Sequence, residues 1–568
     1  MGCPSSQIGK CRGLSELGGE SSGGGAGFVR PTKAKMTKDA GWRGAEERGL
    51  RRDGSVLAAG EHPSESVHAV RSRHGNNVPN VTRAELRSQK GTAGGRGSGR
   101  LFLLTVLVLA ITYGVVDFLL IPGNRLELHP VHHDDYMNLS KSVDQVSSRP
   151  PRPASTLAIG LLASAGPRAY RLASNVLTIV YPALVVLFLA RLIGRNPGLI
   201  ELFVFAALLF SFPASLDWVK YTGLITNLLS GTFGVLALLF LHRGLAGETR
   251  RPAIAAGLLF YAVSIFSKED FVLPVFLLVG FHLTRPGARG GRAAIVVFGA
   301  AACVFALLLY NSTLPHSFTS LGASGPYQVH LSPGSVASTI LRYLTLSPFL
   351  VGALIVSFAA GAGANLADRE SRPPILLAFA IIGSLILPYA VLPNHMAPYY
   401  AFGWLAWMTG LIAVSLSVLA VRVRWPALVY AISVLLAIFA VRLTHGERSA
   451  IVRWYANESE RNDNITHTLV ENRAALASLP TVGIVGVAGL SPWSRSDGDY
   501  LRTRLHLRNR WIVFVARSDI FYSLNDSHGK VHVRSLASLA RSPQLPLLVF
   551  DTSGRGRLVR PQAERRSP

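Results

Sequence analysis

Polar side chains that interrupt long apolar runs are the informative part of this 568-residue chain. Dehydrating an ionisable group is costly unless it is paired or used. The first cluster is His132-His133-Asp134-Asp135-Tyr136. Adjacent carboxylates repel, which raises one pKa while the other stays low. Such a pair can deprotonate an acceptor hydroxyl or amine, or can bind a divalent cation with His133 as a further ligand. The second cluster, Ser267-Lys268-Glu269-Asp270, offers a lysine that can hold a phosphate as a point charge between carboxylates. Asp217-Trp218-Val219-Lys220-Tyr221 is the third, and Asn394-His395-Met396-Ala397-Pro398-Tyr399-Tyr400 the fourth, with His395 able to contact a phosphate or a hydroxyl. Arg342, inside an apolar run, is a candidate phosphate clamp. Each feature also has a plainer explanation. The acidic pair can be a solvated turn, and Lys268-Glu269-Asp270 can close two helix ends. Trp218, Tyr221, Tyr399 and Tyr400 can be interfacial belt residues, and Arg342 can snorkel to the interface.

The elements that must position these groups follow from composition. Hydrophobic residues make up 49% of the chain and charged residues only 16%, well below the roughly one quarter usual for soluble proteins. A net charge of +25 would fit a nucleic-acid binder, but the long apolar runs exclude that class and favour a polytopic membrane protein. Cys3, Cys11 and Cys303 are too few and too scattered for a disulfide scaffold or a zinc site.

Leu101–Pro122 is the first run able to cross roughly 30 Å of hydrocarbon at 1.5 Å per residue. Ten more follow, at about 172–192, 197–215, 223–242, 252–266, 271–284, 293–311, 338–360, 374–391, 399–420 and 426–442. The expectation is an α-helical polytopic membrane protein of about 11 transmembrane helices over 101–442. It is preceded by a basic disordered tail over 1–100 and followed by a small α/β extracytoplasmic region over 443–568. In that last region Glu458–Leu479 reads as a helix, and Val482–Val487, Trp511–Val515 and Leu547–Phe550 read as buried strands. The stretch Ala154–Ala165, within an outer loop over 123–171, is too short to cross and reads as interfacial.

Basic residues resist translocation, which orients the chain. Arg191, Arg195, Arg243, Arg250, Arg251, Arg285, Arg289, Arg292, Arg369, Arg372, Arg422 and Arg424 all fall in alternate connections, whereas the opposite short turns carry only Lys220 and Lys268. The expected N-terminus is cytoplasmic and the C-terminus extracytoplasmic, in a plasma (inner) membrane. All four polar clusters then face the extracytoplasmic side.

With these residues in view, the chain resembles the multipass glycosyltransferases of the C superfamily, such as the protein O-mannosyltransferase-like and aminoarabinose-transferase-like proteins. The likeness rests on His133-Asp134-Asp135-Tyr136 after the first span and on Ser267-Lys268-Glu269 ahead of an apolar run with Pro274. An outer region after the last span adds to it. The resemblance covers roughly 100–450 by architecture and about a dozen residues by motif. It implies transfer of a sugar from a polyprenyl-phosphate donor, at the extracytoplasmic face, to a glycan, lipid or protein acceptor. By residue match Asp134 or Asp135 is the base or organises the acceptor, and Lys268 and Glu269 lie near the donor phosphate. Arg342 and His395 are weaker members of the donor-phosphate set. His133, Tyr136, Asp217, Trp218 and Tyr399 are the acceptor or pocket candidates. Members of the family differ on metal, so a divalent cation on Asp134, Asp135 and His133 is a conceivable cofactor that the acidic pair does not establish.

Two rivals share some of these features. A secondary transporter concentrates ionisable residues near the midplane on broken helices related by a repeat, whereas here they lie at one edge and no repeat is visible. A polymerase or ligase of lipid-linked oligosaccharides shares the donor chemistry. No strand–glycine-rich loop–helix pattern supports use of a nucleotide.

Overall fold

The computed structural model describes residues 96–121, 150, 152–220, 224–247, 250–285, 290–313, 329–346, 348–393, 397–486, 493, 499–503, 505–515 and 531–560. Asp134, Asp135, His133, Tyr136 and His395 lie outside the described residues.

The helices are, in chain order, α1 (Arg96–Gly114, extended by a π-helical turn over Val115–Leu119), α2 (Pro153–Ala165), α3 (Pro167–Ile193), α4 (Leu199–Ser211) and α5 (Ser215–Lys220). There follow α6 (Ile225–Ala246), α7 (Arg250–Ser267), α8 (Val272–Leu283), α9 (Gly290–Ser312) and α10 (Pro333–Leu346). The last of the apolar series are α11 (Pro348–Ala367), α12 (Arg372–Ala390), α13 (Ala401–Arg422) and α14 (Pro426–Glu471). Among the described residues eight helices are long and apolar enough to cross a membrane: α1, α3, α6, α9 and α11 to α14. The chain is an α-helical membrane protein.

Local chemistry explains many of the ends. Prolines stand in the first turn of α2, α3 and α14, where their missing N–H costs nothing. Gly194 and Gly247 close α3 and α6 in the left-handed conformation. The apolar run expected as one span over 338–360 is instead two helices, α10 and α11. Proline disfavours a helical conformation in the residue before it, so the helix restarts at Pro348.

In a bilayer, close helix packing depends on small residues more than on hydrophobicity. A Cβ on Gly244 would lie 2.6 Å from the Ile254 side chain, and one on Gly257 would lie 2.7 Å from Leu241, so α6 and α7 approach closely. Helix α13 is the central element, with 83% of its apolar window buried against 22% for α9. Arginine-bearing connections gather at one end of the bundle. There Arg191 donates to Ser98 at 3.1 Å, Arg292 to the Gly244 carbonyl at 3.4 Å, and Arg422 lies 3.7 Å from Asp368. The Lys268 turn lies at the other end.

Helix α14 runs unbroken for 46 residues, about 69 Å at 1.5 Å per residue. The apolar pattern stops near 442, yet the helix continues because buried contacts at Arg448, Ile451, Val452 and Tyr455 carry it on. Its last turns enter a second core with Ile465 and Leu469. That core includes α15 (Arg473–Ala477), α16 (Asp499–Thr503) and a five-stranded sheet. The strands are β1 (Thr481–Val485), β2 (Arg510–Val515), β3 (Val531–Ser535), β4 (Leu547–Phe550) and β5 (Gly556–Val559), in the order β3-β2-β1-β4-β5. All neighbouring pairs are parallel except β4–β5. The apolar strands β1, β2 and β4 are the inner three. β3 and β5, which carry His532, Arg534 and Arg557, are edges and lack a continuous apolar run.

Candidate functional site

The site is built on the break between α7 and α8. The Lys268 backbone N–H donates to the Ser264 carbonyl at 2.9 Å, completing α7, and then the chain turns extended. A 3-10 turn over Glu269–Phe271 leads into α8, whose Pro274 falls in the tolerant first turn. Helix α6 fixes this turn from below. Ser230 Oγ donates to the Lys268 carbonyl at 2.9 Å, and Ser264 Oγ donates to the Ser230 carbonyl at 2.8 Å. Phe271 seats directly on Gly234, where any side chain would collide with its ring.

Held this way, Lys268 Nζ donates to the Tyr389 hydroxyl at 2.7 Å, and Tyr389 donates to Asp270 Oδ2 at 2.8 Å. Asp270 Oδ2 also lies 3.4 Å from Lys268 Nζ. Asn227 Nδ2 on α6 reaches the Tyr389 hydroxyl at 3.3 Å, so that oxygen accepts twice and donates once. The ammonium also sits 4.7 Å from the Tyr389 ring centroid and 5.0 Å from that of Tyr400, in cation–π geometry. The two rings stack with centroids 4.7 Å apart. On the rim, Arg152 pairs with Glu269 at 3.3 Å. Two cations therefore meet two carboxylates, and the cluster is electrically balanced. Burial pulls the Lys268 ammonium below its ordinary pKa, while Asp270 pulls it back up.

A cavity of ≈ 20 Å³ opens beside these groups, lined by Asp270, Tyr389, Tyr400, Trp218, Asn227 and Tyr181 among others. That is room for about one water. Trp218 joins the wall by donating Nε1 to the Tyr399 carbonyl and packing on Phe402 at 4.6 Å.

A second buried network lies at the same end but on another seam. Asp117, in the π-turn that ends α1, forms an ion pair with Arg448 of α14, both 1% exposed. Arg448 Nη1 has no hydrogen-bond partner. Tyr455, two turns further along α14, donates to Asp217 Oδ1 at 2.8 Å. Burial pushes the Asp217 carboxyl up to about 7, opposed by the Tyr455 bond and reinforced by Glu447. Burial and the neighbouring Arg171 push Lys220 down to about 7.

The candidates from sequence thus separate. Lys268, Glu269, Trp218 and Tyr399 share one cluster, whereas Asp217 turns away from it toward α14. Arg342 is exposed on α10, and its side chain has no partner among the described residues. Asp134, Asp135, His133, Tyr136 and His395 fall outside the described residues. Among the described residues no three His, Cys, Asp or Glu side chains gather as a metal site would need. Tyr389, Arg152 and the Asp117–Arg448 pair are residues that the sequence reading does not single out, whereas Asp270 is part of its Lys268 cluster. Asp117 did leave a signal, as an acid inside the first apolar run.

Fold and site together define a polytopic helical membrane protein with a buried, charge-balanced cluster at one end of its bundle. No family model matches the chain, and no curated protein matches it.

Proposed function

We propose that the chain is a membrane glycosyltransferase of the C-superfamily type, moving a sugar from a polyprenyl-phosphate carrier to an acceptor on the extracytoplasmic face. One observation carries the reading. Lys268, Glu269 and Asp270 converge with Tyr389, Tyr400 and Trp218 at the end of the bundle opposite the arginine-bearing connections. A lipid-linked donor cannot leave the bilayer, so its site belongs at a membrane edge. The sugar–phosphate bond is already activated, which leaves the protein to position the acceptor, take one proton and stabilise a phosphate.

In this reading the acceptor oxygen attacks the sugar's anomeric carbon, and Asp134 or Asp135 takes the acceptor's proton. The carbon–oxygen bond to phosphate breaks, and polyprenyl phosphate departs with the electron pair. Lys268 compensates that charge, released to it as Asp270 keeps its bond to Tyr389. Aromatic faces of Trp218 and Tyr400 flank the sugar. A cavity that holds one water must open for the donor, so donor entry and the loosening of the Lys268–Asp270 contact are one event. The positive-inside rule puts the N-terminus in the cytoplasm and the sheet outside, in a plasma membrane. Counting α4, α7 and α8 with the eight longer helices gives eleven crossings.

A secondary transporter is the second reading, favoured by the sealing and full charge balance of the Lys268 cluster. Purified full-length protein, a panel of labelled polyprenyl-phosphate sugars, and the Lys268→Met and Asp134→Asn/Asp135→Asn variants test both. Sugar transfer that the variants lose supports the glycosyltransferase. No turnover, with proton- or sodium-coupled solute flux in proteoliposomes, overturns it. Transfer of whole oligosaccharides marks a polymerase or ligase.

A further inference from the structure

A groove of ≈ 720 Å³, separate from the Lys268 cluster, runs between α1, α4 and α14. Helices α1 and α14 both pack on α4 and make little contact with each other, so the 13-residue α4 is the floor and the two longer helices are the walls. The walls close toward one end, where Asp117 of the α1 terminus pairs with Arg448 of α14. Val108, Ile111, Phe203, Val434 and Ile438 give the groove an apolar lining. Ile111 and Ile438 are 57% and 55% exposed. Of all the lining residues only Arg442 and His445 are ionisable, and they stand one turn apart on α14 at the end nearest the ion pair.

Both walls, α1 and α14, are long and apolar enough to cross a membrane, and between such helices water is absent and an empty space forfeits dispersion contacts along its whole lining. Hydrocarbon must fill it. From Val434 to His445 the groove wall extends about 16 Å at 1.5 Å per residue, the length of a good part of one acyl chain. Two basic side chains at the end of an apolar slot then meet the phosphate of the same molecule, as basic pockets at membrane interfaces do.

We propose that the groove holds one acyl chain of an anionic diacyl phospholipid, with its phosphate between Arg442 and His445. The proposal needs only the membrane character of the chain and stands whether or not sugar transfer is found. It commits to a resident lipid, distinct from any sugar donor.

Full-length protein in nanodiscs containing a phosphatidylglycerol with a photoactivatable diazirine in its acyl chain tests it, with the matching phosphatidylcholine probe in parallel. Adducts mapped by peptide mass spectrometry are expected on α1 and α14 groove residues in preference to Phe298 and Phe305, which face outward on α9. Arg442→Gln with His445→Gln should lower phosphatidylglycerol labelling of the groove by roughly tenfold, to the phosphatidylcholine level. Because Arg442 is exposed, the phosphatidylcholine signal of the same variant reports that the groove is intact. Ile111→Trp, which fills the slot, should lower both signals. Labelling spread evenly over α9 and the groove overturns the proposal. So does phosphatidylglycerol labelling that the double variant leaves unchanged.

Discussion

Two buried charge networks lie at the same end of this bundle and are built on opposite plans. Asp117 and Arg448 form a buried ion pair across the α1–α14 seam, with one guanidinium nitrogen left without a hydrogen-bond partner, and the groove that ends beside them is apolar along most of its lining. Lys268 shares its charge among Asp270, the Tyr389 hydroxyl and two ring faces, and a small cavity adjoins it. A buried ion pair across a seam locks two elements together. A group with several interchangeable partners can give one up to a ligand and stay solvated by the rest. Burial of charge is common to both. What separates a candidate site from a clamp is that members of the Lys268 network, Asp270, Tyr389 and Tyr400, themselves line a cavity, whereas neither Asp117 nor Arg448 lines the groove beside them.

The comparison breaks first at the clamp. Arg448→Ala leaves the Asp117 carboxylate buried without its guanidinium counter-charge, and is expected to cost about 3–5 kcal/mol in thermal unfolding of the detergent-solubilised protein. Asp117→Leu with Arg448→Met should recover most of that loss, since an apolar pair of similar volume carries no buried charge. An Arg448→Ala protein of unchanged stability would put both networks in one class. Next, Lys268→Met should reduce sugar transfer by about 10²-fold or more with a smaller stability loss than Arg448→Ala, because Tyr389 keeps Asn227 and Asp270. Tyr389→Phe is expected to cost about 1–3 kcal/mol by leaving Asn227 and Asp270 short of a partner, with a transfer defect milder than that of Lys268→Met.

The pH dependence sharpens the clamp side. Asp217 binds its proton more tightly in the folded state, about 7 against an ordinary 3.8. Its contribution is therefore full below about 4 and is lost as pH rises through about 7. Asp217→Asn keeps an acceptor for Tyr455 and should flatten that part of a stability–pH profile while leaving the acid limit unchanged. The smallest effect is expected at Arg342→Gln, within about 0.5 kcal/mol in unfolding and without change in donor binding, because the side chain touches neither network.

What the sequence made legible depended on how local the signal was. Lys268-Glu269-Asp270 stood out because three charges sit between two apolar runs. Tyr389 did not, since a tyrosine at the end of a span reads as an interfacial belt residue, and its partner Lys268 is 121 residues away. Asp117 was visible as an acid in an apolar run, but its partner is 331 residues later in a stretch that no longer looks like a span. The inner strands β1, β2 and β4 were readable from their apolar runs. The edges β3 and β5 alternate polar residues, which a run-based reading passes over.

By itself the sequence determined that the chain is apolar enough to cross a membrane many times, and that its arginines and its acidic and histidine clusters sit in alternate connections. Both properties are sums over neighbouring residues, and a bilayer responds to such sums. Only the tertiary structure decided that Asp217 faces α14 while its neighbour Trp218 lines the cavity beside Asp270 and Tyr389, and that one long helix joins the bundle to the sheet. Those outcomes depend on how each helix is rotated and how closely it packs. Residues such as Gly231 and Gly234 set that spacing by what they lack, and a missing side chain acts only through the neighbour that fills its place.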